Sequence, residues 1–198
     1  MIDTNDIDCK EDLRVIRTRK LLSNALFELL QTKKFDELSV LDICEKAMVH
    51  RATFYNHFED KSHLLEFCLE DLQEELFNKT VNQKKYSSAK EMYLNLISNI
   101  FDYVEENKEK IYKIMEYNNI DKMKNLINNF LITSVRYLIS HNEFNDTYTL
   151  PQKVIVDFLV GGLSNIGFSW ILSKEKETKE TLLGYVGILL NENTYIKR

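Results

Sequence analysis

Arg51, Thr53, Tyr55, Asn56 and His57 fall within one run of seven residues. They offer a guanidinium fork, a hydroxyl, a phenol, an amide and an imidazole, with no acid among them. That set does not assemble an acid–base or nucleophilic cycle. Its chemistry is hydrogen-bond donation to an electron-rich partner. Phe54 and Phe58 lie four apart in the same run, a spacing that puts both rings on one side of a helix and leaves the donors the other directions. A short helix with one apolar seam and a donor-rich outer face is what the recognition half of a helix-turn-helix requires.

The preceding residues are suited to hold such a helix. Ser39 stands just before an apolar-periodic run with Asp42 three residues on, a capping-box-like start. Val40, Ile43, Cys44 and Ala47 recur at i, i+3, i+4 and i+7, the apolar face of a short helix. Met48 and Val49 break the pattern, and a second helix is expected from about His50.

RATFYNHFEDKSHLL, with SVLDICEKA before it, resembles the DNA-binding domain of TetR-family transcriptional regulators, over about Leu13 to Phe77. The specific part is T-F-Y-x-H-F followed by Lys three residues later. Two positions depart from the family's pattern: Met48 stands where a turn Gly is usual, and His50 where Ser or Asn usually caps the second helix. The resemblance implies that Arg51, Ala52, Thr53 and Tyr55 read bases, with Arg51 suited to a guanine edge and Ala52 to a thymine methyl. It implies phosphate contacts from Ser39, His57 and Lys61, with Arg17, His50 and Asn56 completing the DNA-facing set. It also implies a homodimer through the last two helices, hence a palindromic site on double-stranded DNA.

Composition agrees with a helical chain. Hydrophobic residues make up 44% of 198, and one Pro and five Gly leave little room for hairpins, so the expected class is all-α. With the resemblance, this becomes a nine-helix architecture: an N-terminal three-helix head and a helical ligand-binding and dimerisation body. The net charge is −5, yet Leu13 to Phe58 carries eight Lys/Arg against five acids. A basic head on an acidic body fits local contact with a polyanion. The acidic start lacks an apolar signal-peptide core, and three scattered cysteines fit a reducing cytoplasm without a disulfide framework. His50, His57, His63 and Cys68 match no closed zinc spacing, so no metal is expected, and no cofactor. No phosphate loop or nucleophile elbow is readable, which speaks against an enzyme.

Along the chain, residues 1–12 read as a flexible acidic tail, 13–60 as the DNA-binding domain, 61–80 as a linking helix and 81–198 as the effector-binding and dimerisation domain. The first helix runs from Leu13 to about Thr32, and the fourth ends near Lys79. Val81 to Ser88 is a polar link, Asn142 to Thr149 a loop, and LSKEKETKE an exposed connection before the ninth helix. Val154 to Leu172 is apolar nearly all round, but Asp157, Gly161, Gly162, Ser164, Asn165 and Ser169 interrupt it, favouring an interface helix over a membrane span. The simplest cover is a second copy, with Gly161, Gly162, Phe168, Val186 and Leu189 at the contact.

The body's Tyr93, Phe101, Tyr112, Met115, Phe130, Tyr137, Phe158 and Trp170 fit either a pocket for an apolar or aromatic effector or a plain packed core. The functional expectation is a dimeric repressor released from its operator by a small molecule. Two alternatives stand beside it. One is a co-activator or adaptor of the same fold working through a protein partner. The other is an enzyme or carrier using the body pocket.

Overall fold

The structure, a computed structural model, describes residues 13–83, 85–140, 147–173, 177–190 and 196–197. The tail expected for 1–12 and most of the expected loop after Ser140 lie outside these residues. Among them are nine α-helices: α1 (Leu13–Leu30), α2 (Val40–Ala47), α3 (Arg51–Tyr55), α4 (Lys61–Gln83), α5 (Ala89–Glu106), α6 (Lys108–Tyr117), α7 (Ile120–Ser140), α8 (Gln152–Leu172) and α9 (Lys179–Leu189). The fold is all-α, as expected. Two strands of two residues, Thr147–Tyr148 and Ile196–Lys197, pair antiparallel, an element too short to leave a period-2 signature in sequence.

The chain divides into two compact units at Cys68/Leu69, inside α4. In the first, α1 packs on α2. Leu22, Ala25, Leu26 and Leu30 of α1 are buried, as are Ile43, Cys44 and Ala47 of α2, Leu38 before it, and Leu64, Leu65 and Cys68 of α4. A 3₁₀ turn, Phe35–Glu37, joins α1 to α2. Burial raises the Cys44 thiol's pKa, in keeping with a small core hydrophobe.

In the second unit, α7 packs on α8 and α5 on α9. Ile97 and Phe101 meet Val186 and Leu190 in one apolar cluster, and Ile139 meets Val156 and Val160 in another. Lys179 of α9 pairs with Asp102 of α5.

Two expected boundaries shift. α4 continues to Gln83, through the start of the expected link, because Thr80 is buried. The Thr80 hydroxyl donates to Leu76 O at 2.8 Å and accepts from Asn99 Nδ2 at 3.0 Å. A polar residue thus gains a reason to stay helical that periodicity does not carry. α9 starts at Lys179, inside the expected charged connection, because the Thr178 hydroxyl accepts the Thr181 N–H and caps it.

Candidate nucleic-acid interface

Two rings hold the five-residue α3. Phe54 is fully buried and Phe58 nearly so, with centroids 5.8 Å apart. Phe58 also packs on Phe67 at 5.4 Å and meets His63 edge-on at 5.5 Å, which fixes the exit of α3 against α4. A helix this short is not stable by itself, so these contacts are what define its direction. Arg51, Ala52, Tyr55 and Asn56 are exposed, while Thr53 and His57 are half-buried. Tyr55 lies edge-to-face on Phe54 at 5.5 Å, which anchors its ring while leaving the residue 49% exposed. Arg51, Ala52, Tyr55 and Asn56, at helical spacing, therefore share one outer surface.

His50 is the N-cap of α3, is exposed, and makes no side-chain capping bond. Met48 adopts the conformation that glycine would supply, with φ 56° and ψ 42°, at the C-cap of α2. Its N–H and that of Val49 close the α2 helix onto Glu45 O and Cys44 O at 3.2 and 2.9 Å. The turn between the two helices forms without glycine.

Charge in the head is sorted by pairing. Lys33 bonds Asp42 at 3.0 Å, Lys34 bonds Glu37 at 3.4 Å and Lys46 bonds Glu28 at 2.7 Å. Arg19 lies over the Phe67 ring at 5.3 Å. Arg17, Lys20 and Arg51 have no acid partner among the described residues and are exposed. Arg17 and Lys20 are three apart on α1 and so share a face. Lys20 was absent from the expected contact set. Composition shows a cation there, but only the pairing pattern separates it from Lys33, Lys34 and Lys46.

Two of the expected phosphate contacts, Ser39 and Lys61, also hydrogen-bond within the head. The Ser39 hydroxyl donates to Asp42 Oδ2 at 2.5 Å, and the Ser39 N–H donates to the same oxygen at 2.9 Å. The Lys61 ammonium donates to three backbone carbonyls: Phe35 O at 2.7 Å, Asp36 O at 3.2 Å and Leu38 O at 2.6 Å. An ammonium has three donors, and all are used. Both side chains bond within the head.

Residues 22–68 match the family described as "Bacterial regulatory proteins, tetR family", and residues 91–192, half of the chain, match "Transcriptional regulator C-terminal region". The chain belongs to the TetR family. A curated relative, the HTH-type dhaKLM operon transcriptional activator DhaS of Lactococcus lactis, is 32% identical over 102 residues, 50% of this chain and 51% of that protein. An uncharacterized HTH-type transcriptional regulator of Bacillus subtilis, YxbF, is 37% identical over 60 residues, 30% of this chain and 16% of that protein. The matches thus span about half of the first relative's length and less of the second's. Among solved structures, the dihydroxyacetone kinase operon activator DhaS superposes with a TM-score of 0.59 at 22% identity, over 88% of this chain and 94% of that one. Lin0861 from Listeria innocua gives 0.63 at 18% identity, over 90% and 91%. These likenesses establish the fold.

The second unit of this TetR-family chain holds a cavity of about 360 Å³. Leu76 and Phe77 of α4, Leu96 and Ile100 of α5, and Phe130 and Ser134 of α7 line it, with Glu70, Gln73, Glu74 and Asn78. Of the aromatics expected in a pocket, only Phe130 is among these. Tyr93 packs against core clusters, and Phe101 stacks on Trp170 at 5.2 Å. Met115 is buried, whereas Tyr112 and Phe158 are 51% and 64% exposed. The side chain of Tyr137 lies outside the described residues. Aromatic content alone does not separate core from cavity wall, because both bury rings.

The expected dimer contact also divides. Val186 is fully buried and Phe168 nearly so, which makes them part of the chain's own core. Gly161 and Gly162 face open space and Leu189 is 60% exposed. With them, Val154, Phe158 and Leu172 of α8 and Tyr185 and Ile188 of α9 form exposed apolar positions at helical spacing. α8 is long and apolar enough to span a membrane by length and composition, but Ile155, Val156, Val160, Ser164 and Phe168 bury one of its faces within the chain.

Proposed function

We propose that this protein is a cytoplasmic homodimeric regulator that binds a palindromic operator and represses transcription until a small molecule enters the body. The observation that carries it is the outer face of α3, where exposed Arg51, Ala52, Tyr55 and Asn56 stand without an acid partner on a helix held by Phe54 and Phe58. Arg51 and Tyr55 are the base-reading pair. Arg17, Lys20 and His57 meet phosphate and set register. The exposed stripe of α8 and α9 pairs with a second copy, which brings two recognition helices to successive turns of the duplex, about 34–36 Å apart.

The effector enters the cavity between α4, α5 and α7. Leu76, Phe77, Leu96, Ile100 and Phe130 make most of its exposed wall apolar, so the ligand is a small molecule with an apolar or aromatic body. Glu70 and Glu74 favour one with a polar or cationic end. Because α4 contributes to this cavity and also to the head unit, binding that favours one arrangement of α4 changes operator affinity.

Footprinting on DNA flanking the protein's own coding region, across a salt series, tests the reading. A protected palindrome that survives near-physiological salt is expected. In the Arg51→Ala, Tyr55→Ala double variant it should be lost, at roughly 1–3 kcal/mol per base contact. Sequence-blind binding that vanishes with salt contradicts the reading. One observation favours a second reading, activation: the 32% identical relative is a transcriptional activator. Transcription from the protected promoter that falls, rather than rises, on deletion of the protein selects it.

A further inference from the structure

We propose that the buried hydrogen bond between Thr80 and Asn99 is a specificity determinant of the body cavity, a clasp that fixes the gap between α4 and α5 and so sets an upper limit to ligand size. The inference rests on the reading of that cavity as an effector site.

Thr80 lies one turn beyond Leu76 on α4, and Asn99 lies between Leu96 and Ile100 on α5. Leu76, Leu96 and Ile100 are cavity wall, so the bond joins the two helices next to that wall. Thr80 is 0% exposed and Asn99 4%, which leaves no water to replace a broken bond. Asn99 Nδ2 donates to Thr80 Oγ1 at 3.0 Å and to Asn95 Oδ1 at 3.2 Å, which uses both of its N–H groups. The Thr80 hydroxyl gives its own proton to Leu76 O at 2.8 Å and accepts from Asn99. Beyond the end of α4, the Tyr86 hydroxyl comes within 2.5 Å of Thr80 O and 2.9 Å of Asn95 Oδ1, and Tyr86 packs on the cluster of Leu76, Met92 and Leu96.

The apolar part of the wall is held differently. Its contacts have no fixed direction, and its side chains can change rotamer around a larger guest. The clasp does not give in this way. Parting α4 from α5 at this end leaves a buried Asn99 N–H without an acceptor, a penalty of about five- to a hundredfold in affinity. A ligand that fits between the helices escapes it, and one that must wedge them apart does not.

The test replaces both partners by apolar groups of similar shape, Thr80→Val with Asn99→Leu, a change that is close to neutral for folding. Thr80→Val alone, which keeps the Asn99–Asn95 bond, is the milder companion should the pair melt early. The probes are two uncharged solvatochromic dyes, prodan and the bulkier Nile red, titrated by fluorescence into the full chain. In the double variant Nile red should bind about five- to a hundredfold more tightly than in the wild type, with prodan changed less than about twofold. Thr80→Val should move the same way by less. An unchanged ratio of the two affinities overturns the inference.

Hydrogen exchange of the free protein gives an arm that needs no dye. At equal melting temperature, amides of residues 76–83 and 96–100 must exchange faster in the double variant, because local parting of the helices no longer breaks the clasp. Unchanged exchange there also overturns the inference. Uptake of neither dye by the wild type strikes the reading of the cavity as an effector site instead, and the exchange result then decides whether the clasp holds the gap.

Discussion

Ser39 and Asp42 satisfy each other across the first turn of α2: the Asp42 N–H donates to Ser39 Oγ at 3.1 Å while the Ser39 N–H donates to Asp42 Oδ2 at 2.9 Å. Lys33 adds a third donor to this carboxylate, on its other oxygen, at 3.0 Å. Hydrogen bonds from Ser39, then the Lys33 ammonium, hold the Asp42 pKa well below the usual carboxylate range.

A carboxylate whose folded pKa lies below its unfolded value of about 3.9 stabilises the fold fully above that value and loses this contribution as pH falls toward the folded pKa. The melting temperature of the wild type should therefore drop between about pH 5 and pH 2 more steeply than that of Asp42→Asn, which has no carboxylate to protonate. Circular-dichroism melts across that range check it. Parallel curves for the two proteins would mean that the capping box adds nothing to acid stability.

Met48 is the one described non-glycine residue with positive φ, and it is 91% exposed, so its side chain gains little in return. The left-handed conformation disfavours a residue with a Cβ by roughly 1–2 kcal/mol, partly offset by the larger unfolded-state entropy of glycine. Met48→Gly should stabilise the protein by about 1 kcal/mol, raising the melting temperature by roughly 2–4 °C for a chain of this length. Met48→Val, β-branched, should lower it. A Gly variant no more stable than the wild type would show that the turn carries no strain.

How much of this was legible in the sequence depended on how local the cause was. The head could be read almost residue by residue. Ser39 and Asp42 form their box, Phe54 and Phe58 form the seam, and all of it lies within twenty residues of chain. The bonds of Lys61 within the head could not be read, because its three partners are carbonyls 23 to 26 residues away, and a backbone oxygen leaves no mark in a sequence. Thr80 is the same case in the body, a polar residue kept helical by Asn99. In α8 and α9 nearly every position is apolar, so periodicity could not tell the face buried in the chain from the face left outside. Val186 and Leu189 differ by three positions and lie on opposite sides of that division.

That division is open to test. Ile188→Asp and Phe158→Asp place charge on exposed apolar positions, 76% and 64% accessible in the single chain, and should give folded monomers with loss of operator binding. Val186→Asp puts an unpaired charge into a fully buried site and should unfold the protein. Sedimentation velocity and circular dichroism read the two outcomes. A folded, dimeric Ile188→Asp protein would contradict the proposed dimer contact through α9.

The cavity bounded by Phe130 is near the lower end of the range that holds small ligands, about 300–1,000 Å³, so the effector proposed for it would be small and in contact with most of the wall. Ser134 lies on that wall, and its hydroxyl is already bonded to Phe130 O at 2.9 Å, within its own helix. Enlarging this side chain therefore removes volume without stripping a ligand of a needed partner. Ser134→Phe should occlude the cavity, leave the dimer and its operator footprint intact, and abolish binding of a small neutral apolar dye that the wild type takes up, read by fluorescence titration. Glu70→Gln with Glu74→Gln should leave that neutral dye unaffected while weakening a cationic dye of similar size. Equal dye binding by wild type and Ser134→Phe would contradict the assignment of this cavity as an effector site.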